Sequence, residues 1–231
     1  MTPNFFTSWL QKLYETFIED QRYMLLVEGF GNTIIITLGA LVIGVVLGTL
    51  IAATKYLGED VPAMKPLVKL CDLYVTVIRG IPVVVLLLIF FFVILASADG
   101  VVTAILTFGI NSGAYMAELI RSGINAVDKG QMEAGRSLGF SKLQTMRFII
   151  LPQAVRYILP AVGNEFVALL KETSVAGYVA VIDLTRGGNL IRNNTYDAFN
   201  PLMVVALVYL GMVVLLTALL KKLERKLAHE D

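Results

Sequence analysis

The apolar positions of this chain come in long runs separated by short polar stretches, and the runs are too long for a water-soluble core. Residues 201–220 carry no charge, and 67–95 are interrupted by only a few polar side chains. A helix rises about 1.5 Å per residue, so crossing about 30 Å of hydrocarbon takes roughly 20 residues. The pattern predicts about five spans, over 31–54, 67–96, 101–120, 151–170 and 201–220. Gly39, Gly44 and Gly48 in the first span let a neighbouring helix backbone come close. In the second, Arg79-Gly80-Ile81-Pro82 predicts a kink near Pro82, because proline lacks a backbone donor. Ahead of the first span, Phe5, Phe6, Trp9, Leu10, Leu13 and Phe17 recur at helical spacing, with Gln11, Lys12 and Glu15 on other faces. This predicts an amphipathic helix lying on the membrane surface. The stretch 171–200 is polar except for 175–182, which is too short to cross and predicts a small re-entrant or surface helix. The expected organisation is an external amphipathic segment (1–28), a membrane domain (29–222) and a cytoplasmic tail (223–231).

Composition agrees with an all-α integral membrane protein. The chain is 57% hydrophobic and 16% charged, against roughly 45–50% apolar and about 25% charged in soluble domains. Basic residues set the orientation. Thirteen lie on the segments that would be cytoplasmic if the N-terminus is outside, among them Lys55, Lys129, Lys142 and Lys221, and five on the others. The expectation is an external N-terminus and a cytoplasmic C-terminus. A net charge of +1 argues against a nucleic-acid partner. The lone cysteine, Cys71, excludes an internal disulfide, and with the lone histidine, His229, it cannot build a protein-ligated zinc site. Residues 1–28 lack the basic and compact apolar regions of a cleavable signal peptide, and no internal repeat is visible. No G-x-x-x-x-G-K-[ST] loop and no nucleophile–base set is present, so no catalysis and no cofactor are expected of this chain itself.

The segment 128–148 carries the most specific signal. It contains Glu133-Ala134-Gly135-Arg136-Ser137-Leu138-Gly139, then nine residues, then Ile149-Ile150-Leu151-Pro152. The residues predict a short helix from about Lys129 to Leu138, stopped at Gly139 because glycine accepts a left-handed helix end. Ser141 can cap a second helix from Lys142, and Pro152 predicts a bend into the next span.

This order of residues resembles the E-A-A, three residues, G, nine residues, I-x-L-P motif of permease subunits of binding-protein-dependent ABC importers. Gly135 departs from it, standing where alanine is usual. Asn111-Ser112-Gly113-Ala114-Tyr115-Met116-Ala117-Glu118 is similar to the third-helix signature of the polar amino acid permeases in that family. Gly163-Asn164-Glu165-Phe166 with Leu170-Lys171-Glu172-Thr173-Ser174 is similar to their fourth-helix region, and Asp183-Leu184-Thr185 to their next external loop. Arg79-Gly80-Ile81-Pro82 departs from their R-G-T-P element at Ile81, and Leu86 stands where glutamine is usual. The resemblance implies the type I importer permease fold, with Glu133, Ala134, Gly135, Leu138 and Gly139 forming a cytoplasmic coupling helix docked on a partner ATPase. It also implies a complex of two permease subunits, identical or related, two ATP-binding subunits that hold ATP and Mg, and an extracytoplasmic amino-acid-binding protein. Its place is the bacterial cytoplasmic membrane and its cargo a polar or charged amino acid. Another small solute such as methionine is the alternative within the family; a stand-alone ion-driven carrier or channel, and a scaffold with no transport role, are the alternatives outside it.

The candidate substrate path is Asn111, Tyr115, Asn164, Glu165, Lys171 and Glu172. A carboxylate at mid-membrane costs about 2.5–3.5 kcal/mol on insertion scales, so it faces a cavity or a partner. Glu165 has two readings: contact with the ammonium or cationic side chain of the substrate, or a pair with a neighbouring helix. Glu118, near the cytoplasmic end of its span, is expected to pair with Arg121 at i+3. Arg79 either snorkels or pairs with Asp72.

Overall fold

The structure is a computed structural model that describes residues 5–228. His229 and the first four residues lie outside the described part, as do the side chains of Phe5 and Phe6. Among the described residues all regular structure is helical. In chain order the α-helices are α1 (Phe5–Leu13), α2 (Tyr23–Gly58), α3 (Lys65–Gly80), α4 (Val83–Ile89), α5 (Gly100–Asn125), α6 (Lys129–Ser137), α7 (Lys142–Thr145), α8 (Leu151–Glu172), α9 (Leu184–Thr195) and α10 (Phe199–Ala228).

Three helices, α2, α5 and most of α10, are long and apolar enough to cross a membrane, and α3 with α4 makes a fourth span if the broken pair is one. The remaining expected span, 151–170, is α8, which is not among these and whose 22 residues extend about 33 Å. Its length suffices, while Gln153, Arg156, Asn164, Glu165 and Lys171 make it the most polar of the set.

The break in the second span falls where the sequence places it. Ile81 is extended (φ −103°, ψ 130°) between the end of α3 and the start of α4. The ring of a proline clashes with the backbone of the residue before it and expels that residue from the helical region. Ile81 therefore leaves the helix before Pro82 is reached.

The chain divides into two compact units, each built from three stretches. The first comprises Met1–Gly39, Val83–Phe108 and Leu170–Val214. Here α9 replaces the expected polar loop beyond 182. Its first turn is capped by Asp183, whose side chain accepts from the backbone N–H groups of Thr185 (2.8 Å) and Arg186 (3.3 Å). A Cβ on Gly187 would lie 2.4 Å from the Leu25 carbonyl oxygen, so only glycine lets α9 approach α2 this closely.

The same unit ties down the amphipathic N-terminus. The buried carboxylate of Asp197 accepts from Thr16 Oγ1 (3.1 Å), Asn200 Nδ2 (2.6 Å) and the backbone N–H of Phe199 (3.1 Å), with Lys12 at 3.9 Å. Burial opposes its ionisation. The side-chain and backbone hydrogen bonds of Asn200, the Thr16 hydroxyl and the Lys12 charge outweigh it, holding the group below its ordinary value.

The second unit comprises Ala40–Pro82, Gly109–Leu169 and Leu215–Asp231. In it α2 crosses α5 at glycine: a Cβ on Gly48 would sit 2.4 Å from Met116 Cβ. That is the close backbone approach expected of the small residues in this span.

Replacing Asp197 with alanine leaves the buried Thr16 hydroxyl and Asn200 amide without an acceptor, at about 1–3 kcal/mol for each lost partner. Hydrogen exchange over 7–18 is expected to rise in Asp197→Ala relative to the parent. Because the folded-state carboxylate is held below its ordinary value, the tether is complete above the unfolded pKa. It weakens as pH falls through the folded one. Faster exchange of this segment on acidification is the matching expectation, and it should be absent in Asp197→Ala.

Candidate coupling site and intramembrane polar cluster

Both candidate sites lie mostly in the second unit. Helix α6 starts at Asp128, whose side chain accepts from Gly130 N–H at 2.7 Å. It ends in a left-handed turn: Gly139 has φ +89°, the Leu138 N–H reaches Ala134 O (3.0 Å) and the Phe140 N–H reaches Gly135 O (3.1 Å). Two residues later Ser141 caps α7 in a reciprocal box, accepting from Gln144 N–H (3.2 Å) and donating its own N–H to Gln144 Oε1 (2.8 Å). The result is an elbow of two short helices.

The expected bend at Pro152 is replaced by a helical passage. The chain stays helical through a widened π turn, Met146–Ile150, and Leu151 keeps φ −58°, ψ −43°. Pro152 lies just after this π turn inside the continuous helix, where its missing N–H leaves the preceding turn one hydrogen bond short. The turn of the elbow is made at Gly139 instead.

One side of the elbow is fastened to α8 by apolar packing. Val127, Met146, Ile150 and Ala154 form a buried cluster joined by Tyr56, Ile124, Met132 and Ile158. Gly135 is buried at the centre of the elbow, and a Cβ there would lie 2.5 Å from Thr145 Cγ2 and 3.0 Å from Ile149 Cδ1. The departure from alanine is therefore a packing requirement: the branched side chain of Thr145 occupies the space an alanine methyl would take. The outer side is open. Glu133 and Ala134 are exposed, Leu138 is 76% exposed, and Phe140, Leu143 and Phe148 are exposed with it. These exposed apolar side chains on a charged segment make the outer side a candidate docking face.

Toward the end of α2 the elbow makes polar contacts. Lys142 Nζ lies 2.5 Å from Asp60 Oδ2 and 3.2 Å from Glu59 Oε2, and 5.1 Å from the centre of the Tyr56 ring. The hydrogen bond to Asp60 raises the ammonium above its ordinary value; partial burial opposes this, and Glu59 adds to it.

Deeper in the same unit, Asn111 and Ser112 are buried on α5. Ser112 Oγ donates to Glu165 Oε1 at 3.1 Å, and the Arg79 guanidinium lies 5.0 Å from the Tyr115 ring centre. The Tyr74 hydroxyl donates to the Ile110 carbonyl at 2.5 Å. Glu118 and Arg121 form the expected i,i+3 pair, with Arg121 Nε 2.9 Å from the carboxylate. The alternative pairing of Arg79 with Asp72 is not found: Asp72 is taken by Lys55 at 2.6 Å, a residue within reach from α2.

Of the candidate path residues, Asn111, Tyr115 and Glu165 are gathered in the second unit, with Asn164 exposed on α8 beside them. Lys171 and Glu172 belong to the first unit, and Lys171 is exposed. Ser112, Arg79 and the Tyr56–Glu59–Asp60–Lys142 group are functional candidates that the sequence did not single out as site residues. Their partners sit on other helices, 53 residues away for Ser112 and Glu165 and 82 for Asp60 and Lys142, so no local spacing reveals them.

Residues 44–229 match the family of binding-protein-dependent transport system inner membrane components, a match that takes in the whole elbow. The arginine transport system permease protein ArtQ of Bacillus subtilis is 34% identical over 210 residues, covering 89% of this chain and 94% of that protein. The probable glutamine ABC transporter permease protein GlnM of the same organism is 36% identical over 209 residues, with 89% and 94% covered. A solved structure described as an amino acid ABC transporter with histidines superimposes with a TM-score of 0.81 at 35% identity, covering 98% of this chain and all of that one.

Adding a methyl group at Gly135 meets a β-branched side chain that is stiff in a helix. The expected overpacking cost of about 1–3 kcal/mol exceeds the helix-propensity gain of about 1 kcal/mol from glycine to alanine. Thermal melting of the detergent-solubilised protein should fall in Gly135→Ala and recover in Gly135→Ala with Thr145→Ala. An unchanged melting temperature in the single variant counts against the packing account.

Proposed function

Since the chain belongs to the family of binding-protein-dependent transport inner membrane components, we propose that it is the membrane subunit of an ATP-driven importer for a polar or charged amino acid, worked from the cytoplasm through the elbow of α6 and α7. The observation that carries the reading is the elbow itself. Gly135 of α6 packs on Thr145 of α7, Val127 and Met146 pack with Ala154 and Ile158 of α8, and Ala134, Leu138 and Leu143 are exposed on the outside. A projection so built transmits a push rather than absorbing it.

In this reading the chain is not itself an enzyme. Energy enters through a partner ATPase, two copies of which bind ATP with its Mg²⁺, and a second permease subunit completes the path. An extracytoplasmic binding protein delivers the substrate to the side of the N-terminus, and the C-terminal cations face the cytoplasm. Closure of the ATPase pair moves the elbows, and the membrane helices rock between inward- and outward-open forms. ATP drives this only by binding one form better than the other, since equal affinity shifts nothing.

Two relatives bear the names of arginine and glutamine systems, which supports an amino acid with a polar side chain as cargo. Glu165 is the residue suited to meet it. Its carboxylate, fixed by Ser112 and within the field of Arg79, is placed on α8 to take an ammonium or guanidinium group. Asn111, Tyr115 and Asn164 are the further path candidates in the same unit as Glu165, while Lys171 and Glu172 remain candidates from the sequence.

Two measurements test the reading. A photocrosslinker at Ala134 or Leu138 should capture a nucleotide-hydrolysing protein in cells that assemble the complex; capture of none overturns the importer. Glu165→Ala should lower uptake at least tenfold, the loss of about 1.4 kcal/mol or more, while the ATPase still co-purifies. Parental uptake in that variant removes Glu165 from the path and leaves the importer standing.

A further inference from the structure

The elbow is fixed to α8 by a continuous apolar cluster; the end of α2 joins that cluster through Tyr56 alone, and its remaining connection is polar. There a cleft of about 600 Å³, lined by Tyr56, Glu59, Asp128, Met132, Lys142 and Met146, separates the two. Lys142 crosses it. From the first turn of α7 its ammonium reaches Asp60 Oδ2 and Glu59 Oε2 and lies over the Tyr56 ring. Beneath it the Tyr56 hydroxyl is shut off from solvent and has no hydrogen-bond partner. A buried hydroxyl usually has a partner, and among the described residues none supplies one to Tyr56 here.

We propose that Lys142 is a positioning residue for energy coupling, a strap that makes the end of α2 follow the elbow, made in one state of the transport cycle and released in another. The inference rests on the importer reading above and deepens it. The elbow drags α8 directly, through packing that does not come apart. The end of α2 touches that cluster only through the half-buried Tyr56, and Lys142, holding the acidic pair, supplies its other link to the elbow. An exposed ion pair biases an equilibrium by only about fivefold. That is weak for holding a fold together and suitable for a contact remade in every turnover. Without the strap, the ATPase cycles and the elbow moves, but part of the strokes leave α2 behind.

The readout is the amount of amino acid imported per ATP hydrolysed by the complete transporter in proteoliposomes, with co-purified ATPase as the assembly control. Lys142→Glu should hold its ATPase and hydrolyse ATP while lowering that ratio about fivefold, the bias that such a pair supplies. Combining it with Glu59→Lys and Asp60→Lys, which reverses the charges, should restore the ratio. Where charge reversal prevents assembly, Lys142→Met keeps the stem and removes only the charge, and the same loss is expected. A Lys142 variant that assembles and imports at the parental ratio overturns the strap, as does a charge swap that restores nothing. If the parental chain fails to hold an ATPase at all, the importer reading falls first, and that outcome is separate from either.

Discussion

In hydrocarbon a backbone N–H or C=O without a partner costs several kcal/mol, and this constraint decides where the chain turns. Helices α2, α5 and α10 satisfy every group along their own length and run for 36, 26 and 30 residues. Departures from regular helix gather at a few places: Ile81 ahead of Pro82, the widened turns Phe90–Ile94 and Met146–Ile150, and the elbow between Asn125 and Leu151. In the elbow several of the groups freed near the turn are recovered locally. Asp128 and Ser141 take the N–H groups that open α6 and α7, and the left-handed Gly139 returns the Leu138 and Phe140 N–H groups to α6. A segment capped in this way holds its shape where lipid helices end.

The same constraint governs the side chains. A carboxylate on a spanning helix has to meet donors or cations, and Glu118 and Glu165 solve this differently. Glu118 is neutralised by Arg121 on its own helix, a pair with no capacity left for a passing ligand. Among the described residues Glu165 has a hydroxyl, Ser112, from another helix and no cation within ion-pairing distance, while Arg79 lies against the Tyr115 face. A single neutral donor leaves a carboxylate able to accept more. That difference, more than position in the span, separates a structural acid from one fit to receive cargo.

Much of this was legible in the sequence because the signals were local. The elbow could be read from Gly139 and Ser141, since helix ends are set by the residues at the ends. The break at Pro82 could be read because proline acts on its own neighbour. Helix α9 could not: Gly187 and Gly188 weaken a helix on propensity grounds, and the reason for them is the Leu25 carbonyl pressing on Gly187 from α2. Gly135 looked like a mild substitution for alanine until Thr145 was placed beside it. The competition that Lys55 wins for Asp72 lay outside any spacing rule, because the residues belong to helices whose register only packing fixes.

A coupling device has to be stiff in one direction and yielding in another, and the strengths of the contacts around the elbow divide in that way. Packing of Gly135 on Thr145 and burial of Met146, Ile150 and Ala154 involve close-packed groups, where opening a gap costs several kcal/mol. In the proposed importer such a joint stays shut through the cycle. The contacts of Lys142 are solvent-facing and worth about 1 kcal/mol at most. A strap many times stronger would hold α2 in whichever state it first formed, because the nucleotide has to supply through its own differential binding whatever the strap resists. A strap much weaker would transmit nothing. A lysine shared by two exposed carboxylates and a tyrosine ring falls between these limits, where a contact can bias a transition and still be undone by it.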